Sequence, residues 1–244
     1  MFGVLCATPE ELQALRARLK LEAEPEVHGP TRVWRGAHGA TPVVLAQSGI
    51  GKVNAAAAAT VLMDRFQPRA LVFSGVAGSL DHDLPVGGVL LADRLAIHDY
   101  GMVEGEAFTP VAYGVIPIGA PRLSALSAVA PEVLADFGEL ARRVAPNLGH
   151  PIRLGGVITA DYFLNCGVTR EALRRDFAAD AIDMESGAVA QVAEAWGRPC
   201  YVIRTVSDLA GEESHITYPQ MAAMAAANSA LCVEALLDLL LART

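Results

Sequence analysis

Asp183-Met184-Glu185-Ser186-Gly187 opens a segment rich in Ala and Val, broken at Gly197-Arg198-Pro199 and followed by Tyr201-Val202-Ile203-Arg204-Thr205-Val206-Ser207-Asp208. The first part reads as a carboxylate pair starting a helix, whose apolar face carries Val189, Val192, Ala193 and Trp196. The last part reads as a buried strand that ends in Ser-Asp. Together they form one strand–helix unit of a parallel sheet, which brings the two ends to the same edge. Carboxylates where buried elements start and stop are costly unless they are used or satisfied. Ligands in open α/β sheets sit outside the carboxyl ends of the strands. Glu185 and Asp208 are therefore expected to face one ligand.

Outward from this stretch, strands and helices alternate. Residues 2–7 predict a strand, and Thr8-Pro9-Glu10-Glu11 a helix start with Thr8 as cap. Residues 31–36 and 42–47 predict a hairpin, 53–66 an Ala-rich helix, and 70–73 a buried strand running into a turn at Gly75-Val76-Ala77-Gly78. A strand over 86–97, a long loop over 103–121, a helix over 123–144, a strand over 153–159 and a helix over 170–177 follow. The last helix opens at Thr217-Tyr218-Pro219 and runs to about Leu241. The pattern predicts an α/β protein, a single domain over residues 1–244, with a mixed, mostly parallel central sheet flanked by helices.

Composition narrows the function. Charged residues are 19% and hydrophobic ones 52%, enough for a large core, and the net charge of −8 offers no footprint for nucleic acid. The first residues lack a basic n-region and meet Pro9-Glu10-Glu11, which is unlike a signal peptide. No uninterrupted apolar run approaches the ~20 residues of a membrane span. Cys6, Cys166, Cys200 and Cys232 are far apart, predicting reduced thiols, no zinc site and a cytoplasmic protein.

Several motifs have two readings. Gly49-x-Gly51 has Asn54 where a dinucleotide fingerprint needs its third glycine. Ala46 and Val53 break a P-loop. A tight turn remains, either structural or lending backbone N–H groups to a sugar or anion. A second small-residue turn at Gly75–Gly78 favours a flat ligand floor. Glu10 and Glu11 serve the helix dipole or place a carboxylate at the sheet edge. Phe163 is a core plug or a stacking surface, with Leu164 able to present backbone groups beside it. His98 and His215 lack partners at metal-ligand spacing and read as structural.

Taken together, the N-terminal strand with Glu10-Glu11, Ser48-Gly49-Ile50-Gly51-Lys52-Val53, Gly75–Gly78, Asp161-Tyr162-Phe163-Leu164-Asn165, Asp183-Met184-Glu185 and Arg204–Asp208 resemble the nucleoside phosphorylase/nucleosidase superfamily. The resemblance is closest to the 5'-methylthioadenosine/S-adenosylhomocysteine nucleosidases and spans nearly the whole chain. It implies hydrolysis of the N-glycosidic bond of such nucleosides with release of adenine, no cofactor, and a homodimer with the 103–121 loop near its interface. Futalosine-type hydrolysis, a phosphate-dependent phosphorylase and a non-catalytic nucleoside binder are the alternatives.

The same resemblance implies the roles. Asp208 protonates the purine N7, oriented by Ser207; a free Asp has a pKa of ~3.9, so this needs an environment that raises it. Glu11 holds and deprotonates the water, Glu185 grips the ribose, and Arg204 helps place the water. Met184 packs on the sugar, Phe163 stacks on the base, Leu164 reads the adenine edge, and Val76, Ala77 and Gly78 form the floor. Thr8 and Tyr218 line the 5' pocket, where the family carries an apolar residue and Phe. The phosphorylases bring Arg and Ser to phosphate where this chain has Phe73 and Val76, which favours water as the nucleophile.

Overall fold

The period-2 alternation of the first strand decides how the layers are built. Phe2, Val4 and Cys6 enter one apolar cluster, with Leu5 in another on the opposite face. Both faces of the sheet must therefore be covered by helices, as in α/β architectures. The computed structural model describes residues 1–242.

In chain order the strands are β1 (Phe2–Cys6), β2 (Lys20–Leu21), β3 (Glu26–His28), β4 (Thr31–His38), β5 (Thr41–Gln47), β6 (Leu71–Ser79), β7 (Val89–Ile97), β8 (Gly101–Glu104), β9 (Ala107–Pro110), β10 (Ser127–Ala128), β11 (Ile152–Thr159), β12 (Ala181–Asp183) and β13 (Cys200–Asp208). The helices are α1 (Pro9–Arg16), α2 (Lys52–Phe66), α3 (Pro131–Leu148), α4 (Gly167–Phe177), α5 (Ser186–Ala195) and α6 (Ser214–Leu241). Buried residues of α2 and α5 join the first cluster, and those of α3 and α6 the second. The result is a single-domain α/β fold with a mixed central sheet.

Eleven strands pair in that sheet, and β8 and β9 form a separate hairpin. The pairings β6–β12, β12–β11, β11–β7, β7–β13 and β13–β6 close a ring. This corrects the expected parallel strand–helix unit. β12 and β13 are not neighbours; β6 stands between them, antiparallel to β12 and parallel to β13. Ile182 and Asp208 are both in register with Gly78. The two ends of the opening stretch do converge, but through β6.

Other expectations also shift. Gly75–Gly78 is not a turn after a strand but the second half of β6, held by pairing with β13. The helix expected over 123–144 begins at Pro131, at its first position, and runs through Pro146 to a left-handed Gly149. The first part of the 103–121 segment holds the β8–β9 hairpin.

By length and composition α6 is apolar enough to cross a membrane, which the interrupted apolar runs did not suggest, yet half of its most apolar window is buried in the protein. Two polar side chains on its buried side bond the backbone of β6 and of the loop before β7. Ser229 Oγ donates to Gly75 O (2.7 Å), and Asn228 Nδ2 donates to Gly87 O (3.1 Å).

Candidate active site

Thr8 caps α1 by accepting from the Glu11 N–H (3.3 Å), and the Glu11 carboxylate accepts from the N–H groups of Ala7 (2.7 Å) and Thr8 (3.0 Å). This capping box turns Glu11 back toward β1 rather than out to water. Its second oxygen accepts from Val76 N–H (3.0 Å) on β6. Glu11 is 3% exposed, while Glu10 beside it is exposed. Burial pushes the Glu11 carboxyl upward, opposed by the Arg204 guanidinium and the three N–H donors.

Asp183 ends β12 and anchors the centre of the site. It accepts from Thr159 Oγ1 (2.6 Å), from the backbone N–H groups of Glu185 and Ser186, from Ser186 Oγ, and from Arg204 Nε (2.8 Å). Glu185, the next carboxylate, caps α5 through its backbone. Its side chain accepts from Gly51 N–H (2.9 Å) and from Arg204 Nη2 (3.3 Å). Burial raises its pKa to about 7, with Asp183 and Glu11 adding to the rise and Arg204 opposing it. Gly51 has φ of +97°, a conformation open to glycine, and its N–H is spent on Glu185 rather than left for a ligand.

Arg204 points inward from β13 and is 1% exposed. Its guanidinium carbon lies 4.1 Å from the Phe73 ring centroid, and its Nη1 is buried with no hydrogen-bond partner. A β-carbon on Gly75 would fall 2.1 Å from that nitrogen and 2.5 Å from Glu11 Oε1. The bare backbone of Gly75 is thus what admits both groups, and the unspent donor sits beside the Glu11 carboxylate.

Asp208 closes β13. One oxygen accepts from Ser207 Oγ (2.9 Å) and the other from Ala210 N–H (2.9 Å). Ser207 Oγ also lies 3.4 Å from Ala77 O.

A cavity of about 340 Å³ joins these groups. Glu11, Glu185, Asp208, Met184, Phe163, Leu164, Ser207, Val76, Ala77, Gly78, Thr8 and Tyr218 all line it. Arg204 does not; it acts from behind the wall. Sequence reasoning did not assign Ile50, Tyr162, Asp183, Ile182 and Ala210, which line the cavity too. Asp183 had a readable signal, since it lies in the opening carboxylate pair. Tyr162 is held by its hydroxyl to His98 Nε2 (2.6 Å), whose Nδ1 lies 3.1 Å from Thr159 O. His98 and His215, the latter against Asn165, are both engaged with protein groups. No cluster of three or more His, Cys, Asp or Glu able to hold a metal occurs among the described residues.

A floor of small residues with an aromatic edge at Phe163, faced by three carboxylates, suits a flat heterocycle joined to a polyol. That places the protein in the class of α/β enzymes that act on nucleosides. A family model, the phosphorylase superfamily, matches residues 1–238, and the chain belongs to that superfamily.

A 5'-methylthioadenosine/S-adenosylhomocysteine nucleosidase from Mycobacterium bovis is 38% identical, covering 98% of this chain and 98% of its own. The solved futalosine hydrolase of Helicobacter pylori superposes with a TM-score of 0.83 at 28% identity, over 97% of both chains. The 5'-methylthioadenosine/S-adenosylhomocysteine nucleosidase of Neisseria meningitidis, in complex with methylthio-immucillin-A, gives a TM-score of 0.81 at 30% identity, again over 97% of both chains.

Proposed function

We propose that this chain hydrolyses the N-glycosidic bond of 5'-methylthioadenosine/S-adenosylhomocysteine-type nucleosides and releases adenine. The observation that carries this reading is the placement of Glu11, Glu185 and Asp208 on one cavity, with the unpartnered Arg204 Nη1 beside Glu11.

Asp208 gives a proton to the purine N7, so the electrons of the breaking C1'–N9 bond flow into a neutral leaving base. Ser207 orients that carboxyl. Positive charge grows on the ribose, and the Glu185 carboxylate stabilises it while accepting from the ribose hydroxyls. Water held by Glu11 attacks C1' and loses its proton to Glu11. Met184 packs on the sugar, Phe163 stacks on the base, and the backbone of Leu164 reads its edge. Arg204 is a positioning residue, holding Asp183 and Glu185 through Nε and Nη2.

Water is preferred to phosphate because no lysine or arginine lines the cavity among the described residues. Phe73 is fully buried under Arg204, and Val76 spends its N–H on Glu11. The likeness to a futalosine hydrolase favours a second reading, in which the same chemistry acts on a nucleoside with a bulkier 5' arm. Exposed Val103, Ile116 and Ile118 on the segment after β7 support a homodimer, and four free cysteines support a cytoplasmic setting.

The test is a substrate panel in phosphate-free buffer: methylthioadenosine, S-adenosylhomocysteine, futalosine, adenosine and inosine. Adenine release from the first two is expected. A strict phosphate requirement overturns the hydrolase reading, and cleavage of futalosine alone selects the second.

A further inference from the structure

Ser229 is a fully buried hydroxyl on the inner face of α6, among Ala225, Ala226, Cys232 and Val233 of the same face. A serine inside a helix commonly returns its proton to the carbonyl of its own preceding turn. Here the proton goes to Gly75 O on β6, at 2.7 Å. A hydroxyl has a single proton, so the 2.9 Å contact between Ser229 Oγ and Thr205 Oγ1 is donated by Thr205. The peptide that accepts at Gly75 O donates at Val76 N–H, and that N–H goes to Glu11 Oε1 (3.0 Å). The hydrogen bonds from Thr205 to Ser229, from Ser229 to Gly75 and from Val76 to Glu11 thus run in one direction, through one peptide plane, and end on the carboxylate. Thr205 and Ser229 are fully buried and Glu11 nearly so. In such surroundings each bond polarises the next, and a peptide that accepts at its oxygen is a stronger donor at its N–H.

The two oxygens of Glu11 are held differently. Oε2 accepts from the N–H groups of Ala7 and Thr8, and Oε1 from Val76 N–H alone among the described residues. The lone pair left for the proton of a water is therefore on Oε1. Ser229 itself does not line the cavity. We propose that Ser229 is a positioning residue of the hydrolytic step, holding and polarising the Gly75–Val76 peptide so that Val76 N–H sets Glu11 Oε1 to take the proton of the attacking water. Thr205 supports it by directing the Ser229 proton to Gly75 O. This role rests on the nucleosidase reading and adds to it a group behind the cavity wall.

The test is Ser229→Ala, followed in kcat, KM and their pH profiles with methylthioadenosine, and by carbon NMR titration of the Glu11 carboxyl, assigned with Glu11→Gln. At the acid end of the profile kcat is expected to fall about tenfold, the worth of one hydrogen bond to a charged group, with KM changed by no more than about twofold. The loss narrows as pH rises, and Glu11 titrates at higher pH in the variant, because a weaker Val76 N–H supports the ionised form less. The other titratable groups that face Glu11 are Arg204 on β13, Glu185 before α5, Tyr218 on α6 and Cys6 on β1, and all of them remain in the variant. Thr205→Val cuts only the outer link and keeps the shape, so a loss of the same pH-dependent form but of about twofold is expected. An unchanged kcat in Ser229→Ala, a loss equal at every pH, or a Glu11 titration as in the wild type assigns Ser229 to packing and overturns the proposal. If the wild-type chain releases no adenine, the nucleosidase reading fails, while the titration still decides whether Ser229 governs Glu11.

Discussion

Two charge clusters in this protein, one around a buried carboxylate and one around a buried guanidinium, have opposite arithmetic. Around Asp180, one buried carboxylate holds Arg174 Nη1 (2.8 Å), Arg153 Nη2 (3.2 Å) and the Gly156 N–H (2.7 Å), with Arg94 Nη2 at 3.5 Å. Asp81 shares two of those arginines. Around Arg204, one buried guanidinium serves Asp183 and Glu185 and stands beside Glu11. The first cluster spends the Asp180 charge on partners and ties β11 to α4. The second has surplus anions, an unspent donor and a cavity against it. A fully satisfied network specifies structure, whereas a surplus of one sign held beside a cavity is poised for a ligand of the other sign.

The contrast breaks if the two clusters respond alike to mutation, and its largest expected effect is on turnover. Glu11→Gln keeps the shape but removes the base, and kcat for adenine release is expected to fall about 10²–10⁴-fold. Asp180→Asn leaves Arg153 and Arg174 with Asp81 and Arg94 with Asp93, so only the hydrogen bonds to the buried carboxylate are weakened, at an expected cost of about 1–3 kcal/mol in denaturant unfolding. Its kcat/KM, measured where the protein is folded, is expected to persist. Equal losses of turnover in both variants would dissolve the distinction.

A smaller effect tests how tightly the Arg204 cluster is built. Gly75→Ala puts a methyl 2.1 Å from Arg204 Nη1 and 2.5 Å from Glu11 Oε1. Overpacking of this kind costs about 1–3 kcal/mol. Displacing Glu11 by about 1 Å lowers kcat by about 10²-fold. Gly138→Ala on α3 is the control, because its β-carbon meets nothing within 4 Å. It is expected to gain up to about 1 kcal/mol from helix propensity, with turnover kept. A Gly75→Ala enzyme as active as the control would mean that Glu11 and Arg204 have room to move.

Much of this was legible in the sequence because chemistry and periodicity coincided. The β-branched and aromatic stretch 201–206, which carries Arg204 and ends in Ser207-Asp208, read as a buried strand with a carboxylate at its end, and β13 is that strand. Thr8-Pro9-Glu10-Glu11 read correctly as a capped helix start, but which glutamate turns inward depends on the capping box and on Val76 N–H, a contact 65 residues away. Gly75–Gly78 looked like a turn because glycines in isolation promise flexibility; pairing with β13 overrides that propensity. β12 has three residues, too few for any period to register, and yet it carries Asp183 into the site. Ring closure through β13 is likewise a long-range pairing that no local pattern encodes.

The smallest effect, and the one that separates the clusters without mutation, is on pH. Glu185 has an ordinary value of 4.5 and is raised to about 7, first by burial and then by its carboxylate neighbours. Between those values the folded protein keeps a proton that the unfolded chain has lost. The ligand-free protein is therefore expected to lose stability as pH rises from about 4.5 to 7, and this contribution is flat above 7. Activity runs the other way, because a cationic sugar needs the ionised carboxylate. kcat/KM is expected to fall about tenfold per pH unit below 7. Binding of a cationic sugar analogue at pH 6 releases about one proton, read by calorimetry in buffers of different ionisation heat. Arg204→Met removes the larger of the two influences that hold the value down, leaving the Gly51 N–H, so its acid limb moves to higher pH. Glu185→Gln abolishes both the proton release and the fall in stability. An acid limb that persists near 7 in Glu185→Gln would assign it to another carboxyl and leave the surplus charge at Arg204 without a part in the reaction.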